Sequence, residues 1–487
     1  MMVRRSFVLA FADKFAGVVM NLATMAIVSR ILTPAAVGLF LLASTVVILI
    51  ETFRDFGIGA YLIQATELSP MIVRTSVTIM ALMSLGLGLT VLAASNLLAG
   101  YYGNADLGGL LRVAALAFVV APISNPLLAL LRRDMAFGKV AIIGIAGGFA
   151  NSVVTITLAA TGFGPFCFVW GSVCAAFITA AGALIFRPQL WIFRPALRHW
   201  REVLPFGTWS TIVTLLGMLY DAFPRLILGR VMGFAEVGLF SRAISLNQLP
   251  DRVLLSAAQP VLLPALSAHA RSSGALKLPF LTGLSYVSGL QWPALAMIAV
   301  LADPIVRLLL GDQWLAVIPL VRIVAGSYFF LFPIYLCYPA LVSLGRVRDM
   351  AVAMSIALPP CFAITLLASR YGLHAMAWSL FLTGPIQVSV LLWFVRRKVP
   401  FGWAELAAVL VKSGAVTVST VALPLCLVAS IGTWNHMGPT MAVWSVLGAA
   451  VGWIAGVMLL RHPLRREFDV IRTLIHRSPR IPSATPR

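Results

Sequence analysis

Apolar residues run almost unbroken for about twenty positions at a time along this chain, and short clusters of Arg, Pro, Gly and Asn separate the runs. A helix of that length, rising about 1.5 Å per residue, crosses a hydrocarbon core about 30 Å thick. The runs lack the period-two alternation of a barrel strand, and a helix satisfies its backbone N–H and C=O groups internally, as lipid requires. The pattern therefore predicts transmembrane helices over roughly 8–29, 36–60, 75–99, 110–131, 138–160, 163–186, 205–229, 236–261, 280–301, 317–344, 350–368, 373–395, 405–430 and 438–460, about fourteen in all. The start, MMVRRSFVLAFADKFAG, has the basic head and apolar stretch of a signal peptide. Asp13 and Lys14 interrupt it and no small-x-small cleavage site follows, so it reads as the first span, retained.

Composition agrees: 60% of the residues are hydrophobic and 11% charged, more apolar surface than a water-soluble domain buries. The net charge of +20 would suit a nucleic-acid partner, but its distribution argues against one. Alternate connections hold nearly all the basic residues outside the spans: Arg4 and Arg5, Arg74, Arg132 with Arg133 and Lys139, Arg187 to Arg201, Arg271 and Lys277, Arg346 and Arg348, Arg396 to Lys398, and the tail from Arg461 to Arg487. The other connections hold only Arg30, Arg230, Arg307 and Arg370. This positive-inside asymmetry places both termini in the cytoplasm, and one missed or invented span would reverse every later loop.

Little points to an enzyme. The five cysteines lie in or beside apolar spans and form no disulfide framework, and the six histidines have no metal-ligand spacing. No phosphate loop, nucleophile elbow or pair of catalytic carboxylates occurs in an aqueous segment, so neither metal nor cofactor is expected. Gly144 with Gly148, and the ladder Gly448, Gly452, Gly456, are small residues at helical spacing that allow close helix packing.

Ser29 to Phe40 reads SRILTPAAVGLF, and two hundred positions later Gly229 to Phe240 reads GRVMGFAEVGLF. At the same offset Asn21 faces Asp221, Ile27 faces Ile227, Arg30 faces Arg230, Ala43 faces Ala243 and Glu51 faces Asp251. Such a repeat implies two homologous halves, and six helices each would orient them alike across the membrane, about an axis along its normal. The expected organisation is a six-helix lobe over 1–200, a second over 201–400, two additional helices over 401–460 and a basic cytoplasmic tail over 461–487. Between Leu464 and Ile475, Leu464, Phe468, Ile471 and Ile475 recur at helical spacing with Arg465, Arg466 and Arg472 off that stripe, as in a helix lying on an anionic leaflet. Lobes related in this way hold substrate between them near the midplane and open to each side in turn.

Charges inside spans are costly and commonly face a cavity or each other. The second span carries Glu51, Arg54 and Asp55, with Arg54 on the face of both acids. The seventh carries Asp221 and Arg225 one turn apart; the eighth carries Arg242, Ser245, Leu249 and Arg252 in steps of three and four, a cationic stripe. These residues occupy the repeated helices. Arg54, Arg225, Arg242 and Arg252 are therefore the candidate anion-binding residues. Glu51, Asp55 and Asp221 are candidate salt-bridge partners, able to release arginines to an arriving anion and to take up a proton, or else permanent struts.

The segments IVSRILTPAAVGLFLLASTVVILIETFRDFGIGAYLIQ, from Ile27 to Gln64, and YDAFPRLILGRVMGFAEVGLFSRAISLNQLP, from Tyr220 to Pro250, resemble the polysaccharide transporter branch, Wzx-type O-antigen and exopolysaccharide flippases, of the multidrug/oligosaccharidyl-lipid/polysaccharide (MOP) exporter superfamily. Arg30, Thr33, Pro34, Gly38 and Phe40 meet its pattern at the first turn, and Asp55, Phe56, Gly57, Ile63 and Gln64 its next elements. Asp221, Gly229, Arg242 and Ala243 match the second half, with Phe240 where a tyrosine is common. The motifs are short, but the likeness covers nearly the whole chain. It implies an all-α, MATE-like polytopic membrane protein: about fourteen transmembrane helices, as two six-helix lobes in a parallel repeat plus two extra C-terminal helices. It further implies a flippase that moves an undecaprenyl-pyrophosphate-linked oligosaccharide to the outer leaflet of the bacterial inner membrane. Polysaccharide polymerase and chain-length proteins are candidate partners beside membrane lipids.

Such a function is physically sensible. Each unpaired polar group drawn through hydrocarbon costs about 2–7 kcal/mol, and a pyrophosphate far more. A polar cavity removes that cost, and arginine suits phosphate through planar bidentate donors. A lipid II-type precursor flippase needs the same arginines and stays an alternative. A cation-coupled multidrug antiporter would want an acidic cavity, and a membrane glycan enzyme a large aqueous loop.

Overall fold

A computed structural model describes residues 2–55, 58–65, 67–198, 200, 208–255, 266, 267, 269, 276–431 and 439–467. Among these the regular structure is entirely helical. The helices are α1 (Met2–Ile31), α2 (Pro34–Asp55), α3 (Ile58–Gln64), α4 (Pro70–Tyr102), α5 (Ala105–Ala114), α6 (Leu116–Arg133), α7 (Phe137–Ala160), α8 (Phe166–Phe186) and α9 (Thr208–Val231). They continue as α10 (Phe234–Asn247), α11 (Lys277–Val300), α12 (Ala302–Leu309), α13 (Val317–Tyr328), α14 (Ile334–Ser343), α15 (Val347–Ser369), α16 (Leu373–Arg396), α17 (Trp403–Ile431) and α18 (Pro439–Leu459).

Every expected span overlaps helix among the described residues. Among the described residues eleven stretches are long and apolar enough to cross a membrane, and Phe15–Ile31, Val317–Tyr328 and Ile334–Ser343 are shorter apolar helices. Four spans differ in detail from the expectation. The second, expected over 36–60, is shorter: α2 ends at Asp55 and α3 begins at Ile58. The fourth divides at Ala115 into α5 and α6. The tenth divides into α13 and α14 around Pro333, whose ring and missing N–H interrupt a helix. The eighth follows α10 into a π-helical turn, Asp251–Leu255, just after Pro250.

Helix neighbours recur along the chain. α1 packs on α7, α7 on α8, and α8 on α6; two hundred residues later α9 packs on α15, α15 on α16, and α16 on α13 and α14. The pairing of α2 with α4 and α5 recurs as α10 with α11 and α13. Joining the two sets are α2 and α10, which cross at the echoed motif. A Cβ on Gly38 would lie 1.7 Å from the carbonyl oxygen of Phe234, and one on Gly238 would lie 2.1 Å from that of Pro34. These contacts exchange under the two-hundred-residue offset, so an approximate two-fold axis passes between the glycines. The backbones touch where a side chain would hold them apart.

The repeated arginines act at the same end. Arg30 Nη2 donates to the Leu308 carbonyl at 2.8 Å, while the Arg230 guanidinium lies over the Tyr101 ring at 5.1 Å. Trp314 Nε1 donates to the Ser29 carbonyl at 2.7 Å, and Gln313 Nε2 to that of Leu32 at 3.1 Å. Tyr102 donates to the Leu226 carbonyl at 3.2 Å. Residues 308–314 thus hold the end of α1, and Tyr101 and Tyr102 hold the end of α9.

The two C-terminal helices pack on each other and, through α17, on α11. The glycine ladder of α18 lets them close in: a Cβ on Gly452 would meet the Ser419 carbonyl oxygen at 2.3 Å. His462, 1% exposed, follows α18 and plugs into the α11–α17 seam. Its Nε2 lies 3.1 Å from Ser285 Oγ and 3.2 Å from Ser413 Oγ, and Leu464 N donates to its Nδ1 at 3.3 Å. Burial, helped by the Lys412 charge, lowers its pKa to about 4, so the ring is neutral near pH 7. Leu464, expected on a stripe facing a lipid surface, instead packs with Val416 and Val457, because this docking carries the chain back onto protein. Phe468, Ile471 and Ile475 lie outside the described residues.

Candidate functional site

Two compartments lie beside the α2–α10 contact. The first, about 470 Å³, is lined by α1 (Gly17, Met20, Asn21, Thr24, Met25), by Asn151, Ser152 and Thr155 of α7, and by Ser172 of α8. From the other half Arg225 of α9, Arg242, Ser245 and Leu249, and then Arg252, complete it. No carboxylate occurs among its described lining residues.

The second compartment, about 500 Å³, is built from the counterparts two hundred residues on: Gly217, Tyr220, Asp221, Pro224 and Arg225 of α9. It adds Gln248 and Asp251, Ser327 and Tyr328 of α13, Tyr335 of α14, and Thr383 and Gln387 of α16. Among the described residues of the first two hundred, α2 presents Thr45, Ile48 and Leu49. The same architecture therefore encloses opposite chemistry. Where α1 has Met20, Asn21 and Met25, α9 has Tyr220, Asp221 and Arg225, and where α2 gives Thr45 and Ile48, α10 and the residues after it give Ser245 and Gln248.

Helical spacing explains the cationic side. Arg242, Ser245 and Leu249 fall on one face of the α10 span, and the π turn beginning at Asp251 carries Arg252 onward to the same compartment. Arg242 is 8% exposed, its guanidinium lies 5.6 Å from the centre of the Trp314 ring, and its Nε has no hydrogen-bond partner in the protein. Holding an arginine in this way costs several kcal/mol unless an anion arrives. Arg252 Nη2 donates to Gln248 Oε1 at 3.3 Å.

Arg225, Arg242 and Arg252 are thus brought together, and Arg54 is not. Arg54 is buried near the end of α2, where Nη1 donates to Glu51 Oε1 at 3.1 Å and the guanidinium stands 5.7 Å from the centre of the Phe118 ring. Arg54 is not among the described residues that line the arginine-lined compartment. Asp221 and Arg225 both line the second compartment. The side chain of Asp55 lies outside the described residues.

Sequence reasoning passed over Asn151, Tyr220, Tyr328, Tyr335, Gln248 and Gln387, which converge only through packing of distant helices. Asp251 carried a signal as the mid-span counterpart of Glu51. Its Oδ1 accepts from Gln291 Nε2 at 2.7 Å and its Oδ2 accepts from the Tyr335 hydroxyl.

Residues 27–319 match the model of a family described as polysaccharide biosynthesis protein. The chain belongs to that family. Among its relatives is the lipopolysaccharide biosynthesis protein WzxC of Escherichia coli (strain K12), 28% identical over 314 residues that make up 62% of each chain. Another is the succinoglycan biosynthesis transport protein ExoT of Rhizobium meliloti (strain 1021), 25% identical over 66% of this chain and 65% of the relative. The chain thus spans a little under two thirds of the length of these relatives. The fold is shared with the solved lipid II flippase MurJ in an inward closed conformation, with a TM-score of 0.75 and 11% identity, covering 93% of this chain and 98% of that one.

Proposed function

We propose that this chain is a flippase that translocates an undecaprenyl-pyrophosphate-linked oligosaccharide across the cytoplasmic membrane by alternating access, for surface polysaccharide synthesis. In this reading α1 to α8 and α9 to α16 are two lobes, α17 and α18 are additions, and both termini are cytoplasmic. The single observation that carries it is the compartment into which Arg225, Arg242 and Arg252 converge, with no carboxylate among its described lining residues and with Arg242 buried and its Nε unpartnered. Bidentate guanidinium donors suit a pyrophosphate, and the neighbouring Asn, Ser and Thr side chains can donate to its remaining oxygens. The lipid tail stays in the bilayer, so only the head group needs the cavity. The recurring helix neighbours and the Gly38–Gly238 axis support the two-lobe division, and the alternating loop charges support the topology. Polysaccharide polymerase and chain-length proteins would receive the product. The fold shared with a lipid II flippase favours a second reading, a lipid II-type precursor, which presents the same pyrophosphate.

Mass spectrometry of lipids that copurify with the protein tests both. The expected outcome is a polyprenyl-pyrophosphate oligosaccharide that disappears from the Arg242→Ala/Arg252→Ala variant. A muropeptide-bearing lipid would select the second reading, and polyprenyl-free cations or drugs would defeat both.

A further inference from the structure

The second compartment has chemistry that a pyrophosphate does not use. Asp221 and Asp251 line it and repel an anion, and the only cation among its described lining residues is Arg225, one turn from Asp221 on the same helix. Its volume, about 500 Å³, lies within the roughly 300–1,000 Å³ of small-molecule pockets. Three tyrosines, Tyr220, Tyr328 and Tyr335, and two amides, Gln248 and Gln387, face it with the acids. Gln387 is 7% exposed, and its Oε1 has no hydrogen-bond partner in the protein. A buried amide oxygen in that condition calls for a donor from the occupant. Asp251 is held in place by Gln291 and Tyr335, which leaves its remaining lone pairs as fixed acceptors. Fixed acceptors beside flat aromatic faces match a neutral polyol, whose O–H groups donate and whose C–H faces stack. A lone metal cation would have no use for three phenol rings.

We propose that this compartment is a saccharide subsite, in which the sugars nearest the lipid carrier lodge among Tyr220, Tyr335, Asp251 and Gln387 while the pyrophosphate lies with Arg242 and Arg252. Arg225, which lines both compartments, stands at the junction between phosphate and first sugar. The proposal rests on the flippase reading above. It assigns the divergence between the two halves to substrate recognition: the first-half compartment, whose described α1 lining is neutral, holds the anion, and the second-half compartment holds the glycan.

Native mass spectrometry of the full chain in nanodiscs separates the two claims. The probes are bare undecaprenyl pyrophosphate and the pool of lipid-linked saccharides extracted from source cells lacking this transporter. Wild type should favour a glycosylated lipid at least tenfold over the bare one. Gln387→Leu and Tyr335→Phe should each reduce that preference several-fold while bare-lipid occupancy holds, which also shows that the variants fold. Arg242→Ala should lose both lipids. Equal binding of both lipids by wild type, or a preference that neither variant changes, would overturn the subsite and leave the flippase reading standing. So would an Asp251→Asn variant that keeps the preference intact but loses a sodium or pH response of wild type, since the compartment would then be a cation site. If wild type captures neither lipid, the flippase reading falls, and the subsite with it.

Discussion

Arg242 is the residue whose environment says most about function. The cationic stripe of the eighth span was legible because Arg242, Ser245, Leu249 and Arg252 recur at helical spacing. That Arg242 lies over Trp314 with its Nε unpartnered was not, since Trp314 is far along the chain. Arg54 looked equivalent in sequence, yet it sits against Glu51 and Phe118. Arg242→Ala should reduce flipping in reconstituted vesicles by a hundredfold or more with normal protein yield, and Arg242→Lys should restore only part, because lysine lacks the planar fork. Normal flipping by the alanine variant would exclude it from the site. His462 offers a pH test in a different place. Its pKa is lowered to about 4 from an ordinary value near 6.5, so docking of the C-terminal segment is at full strength above pH 6.5 and weakens as pH falls toward 4. The full effect is about 3 kcal/mol. Thermal unfolding should show wild type losing stability between pH 6.5 and 4.5, and His462→Gln, which carries no titrating ring, should flatten that dependence.

Among the elements, α2 and α10 matter most, because they cross in backbone contact at the echoed glycines. The words VGLF at positions 37–40 and 237–240 advertised a repeat, but sequence could not show that the two copies touch each other. A Cβ at either glycine would strike backbone of the facing helix, which cannot rotate away as a flexible side chain can. Gly38→Ala should therefore force α2 and α10 apart and cut flipping at least tenfold, whereas Gly86→Ala on α4, with nothing within 4 Å of its Cβ, should be silent. Disulfide trapping between cysteines placed on the two helices would report the separation. If Gly38→Ala flips and cross-links like wild type, the contact is not closed in the working molecule. The breaks at Ala115 and Pro333 and the π turn at Asp251 were invisible to hydropathy, which reads apolar length and passes over hydrogen-bond register.

At the scale of the whole molecule, the loop charges predict topology. A cysteine replacing His436 in a cysteine-free background should react with an impermeant thiol reagent from outside the cell, and one replacing Arg397 should not; the reverse result would invert the topology. The sequence alone determined that the chain crosses a membrane many times as helices, where those helices run, that the first two resemble the seventh and eighth, and which family it resembles. These properties are written in local quantities: runs of apolar residues, the sign of short loops, and words at a fixed offset. Tertiary structure alone decided that the echoed glycines meet face to face, that Arg225, Arg242 and Arg252 converge while Arg54 does not, and that an acid- and tyrosine-lined compartment lies beside the arginine-lined one. Those facts depend on which face each helix turns toward a neighbour hundreds of residues away. In lipid, hydropathy is nearly the same on every face, so small-residue contacts and buried polar groups set those orientations.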